Sequence, residues 1–157
     1  MVSLKTLIVV TALATGGCAQ EVIKTGRLQA KSSDLGTVYL YKPQSDGGDP
    51  VWAQLGGESQ ADQFTLRSDA TISTKGLTLN IMRNQIDEKR LGYSGVITSD
   101  NGWKIVDGNK LVSEGVFYGY QDEFQACRYA GGEYFVYLLS HKADDMECVP
   151  LGALYIV

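Results

Sequence analysis

The sequence predicts an all-β fold, and three observations carry that prediction. Short runs rich in Val, Ile, Thr and Tyr recur along the chain, Gly- and Asp-rich turns divide them, and almost no stretch spaces its apolar residues at helical intervals. The chain has 157 residues, the size of one domain. Hydrophobic residues make up 44% and charged residues 20%, enough apolar material for a core and too little charge for a disordered chain.

Taken in order, strands are expected at Thr37–Tyr41, Gln63–Leu66, Leu77–Met82, Tyr93–Thr98, Trp103–Val106, Val116–Tyr120, Tyr134–Leu139 and Ala153–Val157. These runs are rich in Val, Ile, Thr and Tyr, the residues that strands favour. Asp100-Asn101-Gly102 and Asp107-Gly108-Asn109 are turn signals, because Asn, Asp and Gly tolerate the positive φ of tight hairpins. Only Gln85–Arg90 offers a helical turn, and nothing apolar beside it would lengthen it.

An internal period narrows the architecture. Phe64-x-Leu66, Ile72 and Gly76 recur 39 residues later as Trp103-x-Ile105, Leu111 and Gly115. Strand starts at 38, 77 and 116 keep the same displacement, so three units of about 40 residues fill 38–157. That period predicts a small β-trefoil-like barrel, in which three four-stranded units share one core; a β-sandwich is the alternative. The third unit has Lys142 where the pattern asks for an aromatic.

The N-terminus reads as a targeting segment. Met1–Ala19 carries Lys5 as its only charge, then an eight-residue apolar stretch over Leu7–Ala14, then small residues. Cleavage after Ala19 would leave 20–157 as a single all-β domain, and lipid attachment at Cys18 is the alternative. Eight apolar residues fall well short of the roughly 20 that span a bilayer as a helix, and no second such span follows. In the secreted compartment this implies, Cys127 and Cys148 remain as an even pair and are expected to be bonded.

Composition excludes several roles. With 14 Lys and Arg against 18 Asp and Glu the net charge is −4, and no basic stripe is present to meet nucleic-acid phosphates. The lone His141 leaves a nucleophile little choice of base, and Gly92-Tyr93-Ser94-Gly95 falls short of a nucleophile elbow. His141, Asp144, Asp145 and Glu147 crowd together, yet lack EF-hand spacing or the second His of a zinc site, so they read as polar loop residues. Asp46-Gly-Gly-Asp49 reads as a turn. Acidic pairs suited to glycoside hydrolysis are many, and none stands out. No catalytic residue, cofactor or metal is assigned.

The aromatics are the remaining lead. Trp52, Tyr93, Tyr118, Tyr120 and Tyr129 are candidate platforms on which sugar rings could stack, whereas Trp103 occupies a core-like position of the repeat.

An ordered series of motifs carries a family resemblance across about residues 60–157. It runs from Phe64-Thr-Leu66 through Leu91-Gly-Tyr-Ser-Gly-Val-Ile97, Trp103-Lys-Ile105 with Leu111, Ala126-Cys127 and Tyr134-Phe-Val-Tyr-Leu138 to Cys148-Val149. The series resembles fungal secreted cell-wall proteins of the PhiA type, a family linked to phialide development and catalogued among IgE-binding proteins. The resemblance implies a secreted, non-enzymatic, wall-associated protein with a Cys127–Cys148 disulfide, and it brings no catalytic residues. The expected role is therefore structural or adhesive at the extracellular surface or wall, with a wall polysaccharide or wall protein as partner. A lectin-like glycan-binding module is one alternative. An inhibitor or effector acting through an exposed loop, with Leu138–Cys148 the natural segment, is another.

Overall fold

Side-chain alternation decides the first element. Along β1 (Val22–Ser32), Gly26, Leu28, Ala30 and Ser32 are buried while Arg27, Gln29 and Lys31 turn outward. The computed structural model describes residues 20–44, 50–82, 89–96, 102–140 and 145–157. The targeting segment, the Asp46–Asp49 turn, most of the Gln85–Arg90 stretch, Asp100 and Asn101, and His141 and Asp144 lie outside the described residues.

Every strand pairing is antiparallel, and the all-β class is as the sequence predicts. After β1 come β2 (Gly36–Tyr41), β3 (Val51–Trp52), β4 (Gln54–Gly56), β5 (Gln63–Arg67), β6 (Ile72–Thr74), β7 (Leu77–Met82) and β8 (Arg90–Ser94). They are followed by β9 (Trp103–Val106), β10 (Lys110–Gly115), β11 (Gly119–Gln121), β12 (Phe124–Arg128), β13 (Phe135–Leu138), β14 (Glu147–Gly152) and β15 (Leu154–Ile156). A 3-10 turn at Glu58–Gln60 is the only helical element among the described residues. None of these residues forms a helix long and apolar enough to cross a membrane.

Two sets of contacts organise the strands. In the first, β5 pairs with β1, β1 with β15, β15 with β10 and β10 with β9. The Trp103 N–H closes this circuit by donating to the Ala70 carbonyl, in the β5–β6 turn, at 3.0 Å. Three equivalent pairs sit within it: Leu66 opposite Ile72, Ile105 opposite Leu111, and Ile156 opposite Leu28. In the second, the hairpins β2–β4, β7–β8 and β12–β13 meet at one junction. There Ala53 N–H donates to Leu91 O at 3.0 Å and Val136 N–H to Ala53 O at 3.4 Å, and Leu138 N–H donates to Lys89 O at 2.9 Å.

The core fills the space these contacts enclose. Phe64, Trp103, Leu111, Ile72, Leu154 and Ile156 pack with Leu40, Leu79, Tyr93, Phe124 and Leu138 in one cluster. Trp103 keeps its indole N–H satisfied by donating to Leu79 O at 2.9 Å. Asp107 and Gly108 both take positive φ in the predicted turn between β9 and β10.

The expected third unit is corrected here. Val116–Tyr118 is the turn between β10 and β11 rather than a strand start, and Val116 is exposed. Two residues before Ile156, in the place that Phe64 and Trp103 take before Leu66 and Ile105, stands Leu154. Lys142, where the pattern asked for an aromatic, lies outside the described residues. The strands expected at Tyr93–Thr98 and Tyr134–Leu139 are observed as Arg90–Ser94 and Phe135–Leu138, with Ile97 and Thr98 outside the described residues.

Trp103→Ala should cost about 3–5 kcal/mol, because it empties a fully enclosed indole site. Val116→Ser should change stability by less than about 0.5 kcal/mol, as expected of an exposed turn. Urea denaturation of both variants checks the assignment, and comparable losses in the two would contradict it.

Candidate functional site

Trp52 is placed by what its neighbours lack. It sits opposite Gly92 in the β3–β8 pair, and a Cβ on Gly92 would lie 2.9 Å from Met82 Cγ and 3.2 Å from Trp52 Cε3. The bare glycine thus lets the indole lie against β8. Beside it, the guanidinium carbon of Arg90 stands 4.4 Å from the Trp52 ring centroid, and 5.0 Å from those of both Phe135 and Tyr137. Arg90 is only 7% exposed, so it acts as a planar, charged spacer between rings, where cation–π attraction is strengthened by the loss of water.

Above this support lies a groove of about 310 Å³, lined by Pro43, Gln44, Pro50, Val51, Trp52, Gln54 and Phe135. Its lining is apolar and aromatic with two amides. Gln54 is held in place: the Tyr41 hydroxyl donates to its Oε1 at 2.7 Å and lies 3.2 Å from Glu133 Oε2. With Oε1 taken, the Nε2 end is what Gln54 offers a ligand. Burial, and then the Glu133 charge, push the Tyr41 hydroxyl above its ordinary pKa, so it stays a donor at neutral pH.

The five predicted platforms do not share one site. Trp52 is half-buried in this groove. Tyr118 is half-buried in the β10–β11 turn, with Lys89 Nζ 5.7 Å from its ring centroid. Tyr120 is exposed on β11 and lines a different groove of about 380 Å³ with Asp122, Glu123 and Leu139. Tyr129 is exposed in the turn after β12.

Tyr93 needs correction, because it is fully enclosed. Its ring stacks on Phe64 with centroids 6.3 Å apart, so no face remains for a ligand. Its hydroxyl is buried without a hydrogen-bond partner. Burial, with Asp62 nearby, drives its pKa well above the ordinary 10.0.

Cys127 and Cys148 form the expected disulfide and face each other in the β12–β14 pair. Beside it Arg128 Nε donates to Glu147 Oε2 at 3.0 Å, with the guanidinium 4.6 Å from the Tyr134 centroid. Among the described residues no group of three or more His, Cys, Asp or Glu side chains is arranged to hold a metal. Ser94, of the incomplete nucleophile motif, is buried in β8, and its Oγ accepts from Val96 N–H at 3.0 Å.

Sequence reading missed Phe135, Gln54 and Arg90. Phe135 lay within the expected strand Tyr134–Leu139 without being singled out, Gln54 belongs to no motif, and Arg90 stood only at the end of the expected Gln85–Arg90 helical turn. Comparisons of the chain with protein-family models, characterised proteins and solved structures return no match.

Tyr93 sets an alkaline limit. Above pH 10 the unfolded chain releases this proton while the folded chain keeps it, so stability should fall as pH rises further. Tyr93→Phe should move the alkaline unfolding midpoint upward, read by circular dichroism across a pH series. An unchanged midpoint would remove Tyr93 from the cause.

Proposed function

We propose that this protein is a secreted, non-enzymatic binding module of the cell wall, and that it engages a wall polysaccharide through the Trp52 groove. The observation that carries the reading is the groove itself, an aromatic floor braced by Arg90 with the Gln54 amide oriented beside it. An aromatic face suits the apolar face of a pyranose ring, and a fixed amide suits its hydroxyls. Location at the wall and membership of the PhiA type rest on the targeting segment and the motif series. A structural or adhesive role follows if the bound polymer is the wall's own.

We also propose a β-trefoil-like architecture for the scaffold. The three equivalent strand pairs and the junction of three hairpins support it over a sandwich, whose two sheets would give no such threefold recurrence.

Co-sedimentation with insoluble chitin and β-1,3-glucan tests the binding reading. Retention on one polymer is expected to survive high salt, because the contact is apolar and hydrogen-bonded. Trp52→Leu keeps an apolar cover over Arg90 while removing the flat face, so it should lose retention with its thermal midpoint little changed. Full retention by the folded variant would exclude the groove, and no binding by the parent protein to either polymer would move the reading toward a protein partner.

A further inference from the structure

A second groove lies on the same sheet face. It measures about 370 Å³, and Gln29, Lys31, Asn109, Gly152, Ala153 and Tyr155 are among the residues that line it. Tyr155 is 38% exposed. Strand register relates the two grooves: Tyr155 pairs with Gln29, Gln29 with Tyr39, Tyr41 with Gln54, and Gln54 with Phe135. Directly paired residues share a face, as do Tyr39 and Tyr41 two positions apart on β2, so all six side chains stand on one surface.

The polar parts of the two grooves are built alike. Gln29 Nε2 donates to the Tyr39 hydroxyl at 2.8 Å, so its Oε1 remains to accept, just as Tyr41 fixes Gln54 by the opposite end. Asn109 Oδ1 accepts from Lys24 Nζ, which leaves its Nδ2 to donate. The Tyr155 groove therefore offers an oriented acceptor, an oriented donor and an aromatic ring, and the Trp52 groove offers a donor and an aromatic floor. Sugar hydroxyls both donate and accept, and this pairing of oriented amides with rings matches a row of them. A protein or nucleic-acid ligand would gain less. Among the described residues that line the Tyr155 groove only Lys31 is charged, and Arg27 and Lys110 nearby are paired to Glu58 and Asp122.

We infer that the two grooves are subsites of one tract that holds a single polysaccharide chain, crossing β15, β1, β2, β4 and β13. The inference rests on the glycan-binding reading above. With about 4.8 Å between neighbouring strands, the four strand intervals from Tyr155 to Phe135 span roughly 19 Å. The tract thus calls for a polymer segment of several residues, where one groove alone would be satisfied by a short oligomer. Along β1 and β2, between the subsites, the Arg27 guanidinium lies 5.4 Å from the Tyr39 ring centroid.

The test is calorimetric titration of the full chain with a ladder of chitin and β-1,3-glucan oligomers, from the disaccharide upward. Affinity is expected to rise with length and then level off once the oligomer reaches both subsites. Tyr155→Ala should weaken the long oligomers about tenfold or more and leave the short ones unchanged, because it removes the linked second contact. Tyr155→Phe, which keeps the ring, should retain most of the length dependence.

Length-independent binding that Trp52→Leu abolishes and Tyr155→Ala does not touch would overturn the tract and leave the single-groove reading standing. No binding of any oligomer by the parent protein would overturn both. Thermal melts of the Tyr155 variants confirm the fold, since the side chain is on the surface.

Discussion

The meeting of three hairpins at Ala53, Leu91 and Val136 is the constraint on which the rest of the molecule depends. All three residues are fully buried, so the backbone groups joining them have no water to turn to and must satisfy one another. Strands β3, β8 and β13 are fixed by that requirement. Trp52, Arg90 and Phe135 each stand within two residues of a junction residue, and their mutual arrangement follows from it. A site carried on such short strands is therefore as rigid as the junction beneath it. Small residues matter for the same reason: Ala53 fits where three backbones converge, and a larger side chain there would push them apart.

Precision in the groove comes from groups that a ligand would not touch. Gly92 matters for the space it leaves, Arg90 for the stacking it provides, and Tyr41 for the end of the Gln54 amide that it occupies. The same logic recurs across β1 and β2, where Tyr39 orients Gln29. A hydrogen bond made within the protein settles which half of each amide is left over.

Much of the fold was legible in the sequence, because Leu77–Met82 and Trp103–Val106 carry strand signals strong enough to give their own boundaries. Strand β1 was not, since its inward row of Gly26, Leu28, Ala30 and Ser32 is too weakly apolar to stand out. Strand β12 was hidden differently: Phe124, Gln125, Ala126 and Cys127 are all buried, so no alternation remains to read. The opposite error arose at Val116–Tyr118, where β-prone residues form a turn and sit outside the core. Local propensity cannot report which apolar residues the tertiary structure will leave uncovered. The 39-residue displacement matches the paired strands at Leu66–Ile72 and Ile105–Leu111, whereas the start expected at 116 falls in a turn. As for the site, composition pointed to aromatics, and Trp52 could be singled out because it falls outside the repeat. Its partners become neighbours only across the sheet, through pairings that no linear spacing records.

Arg90 also sets a demand on shape. A guanidinium is flat and delocalised, so one group can lie close to the rings of Trp52, Phe135 and Tyr137 together. The compact ammonium of a lysine would carry the same charge on a flexible stem and offer no plane to stack against. At this position the two basic residues are therefore not interchangeable, and the outline of the side chain matters as much as its sign.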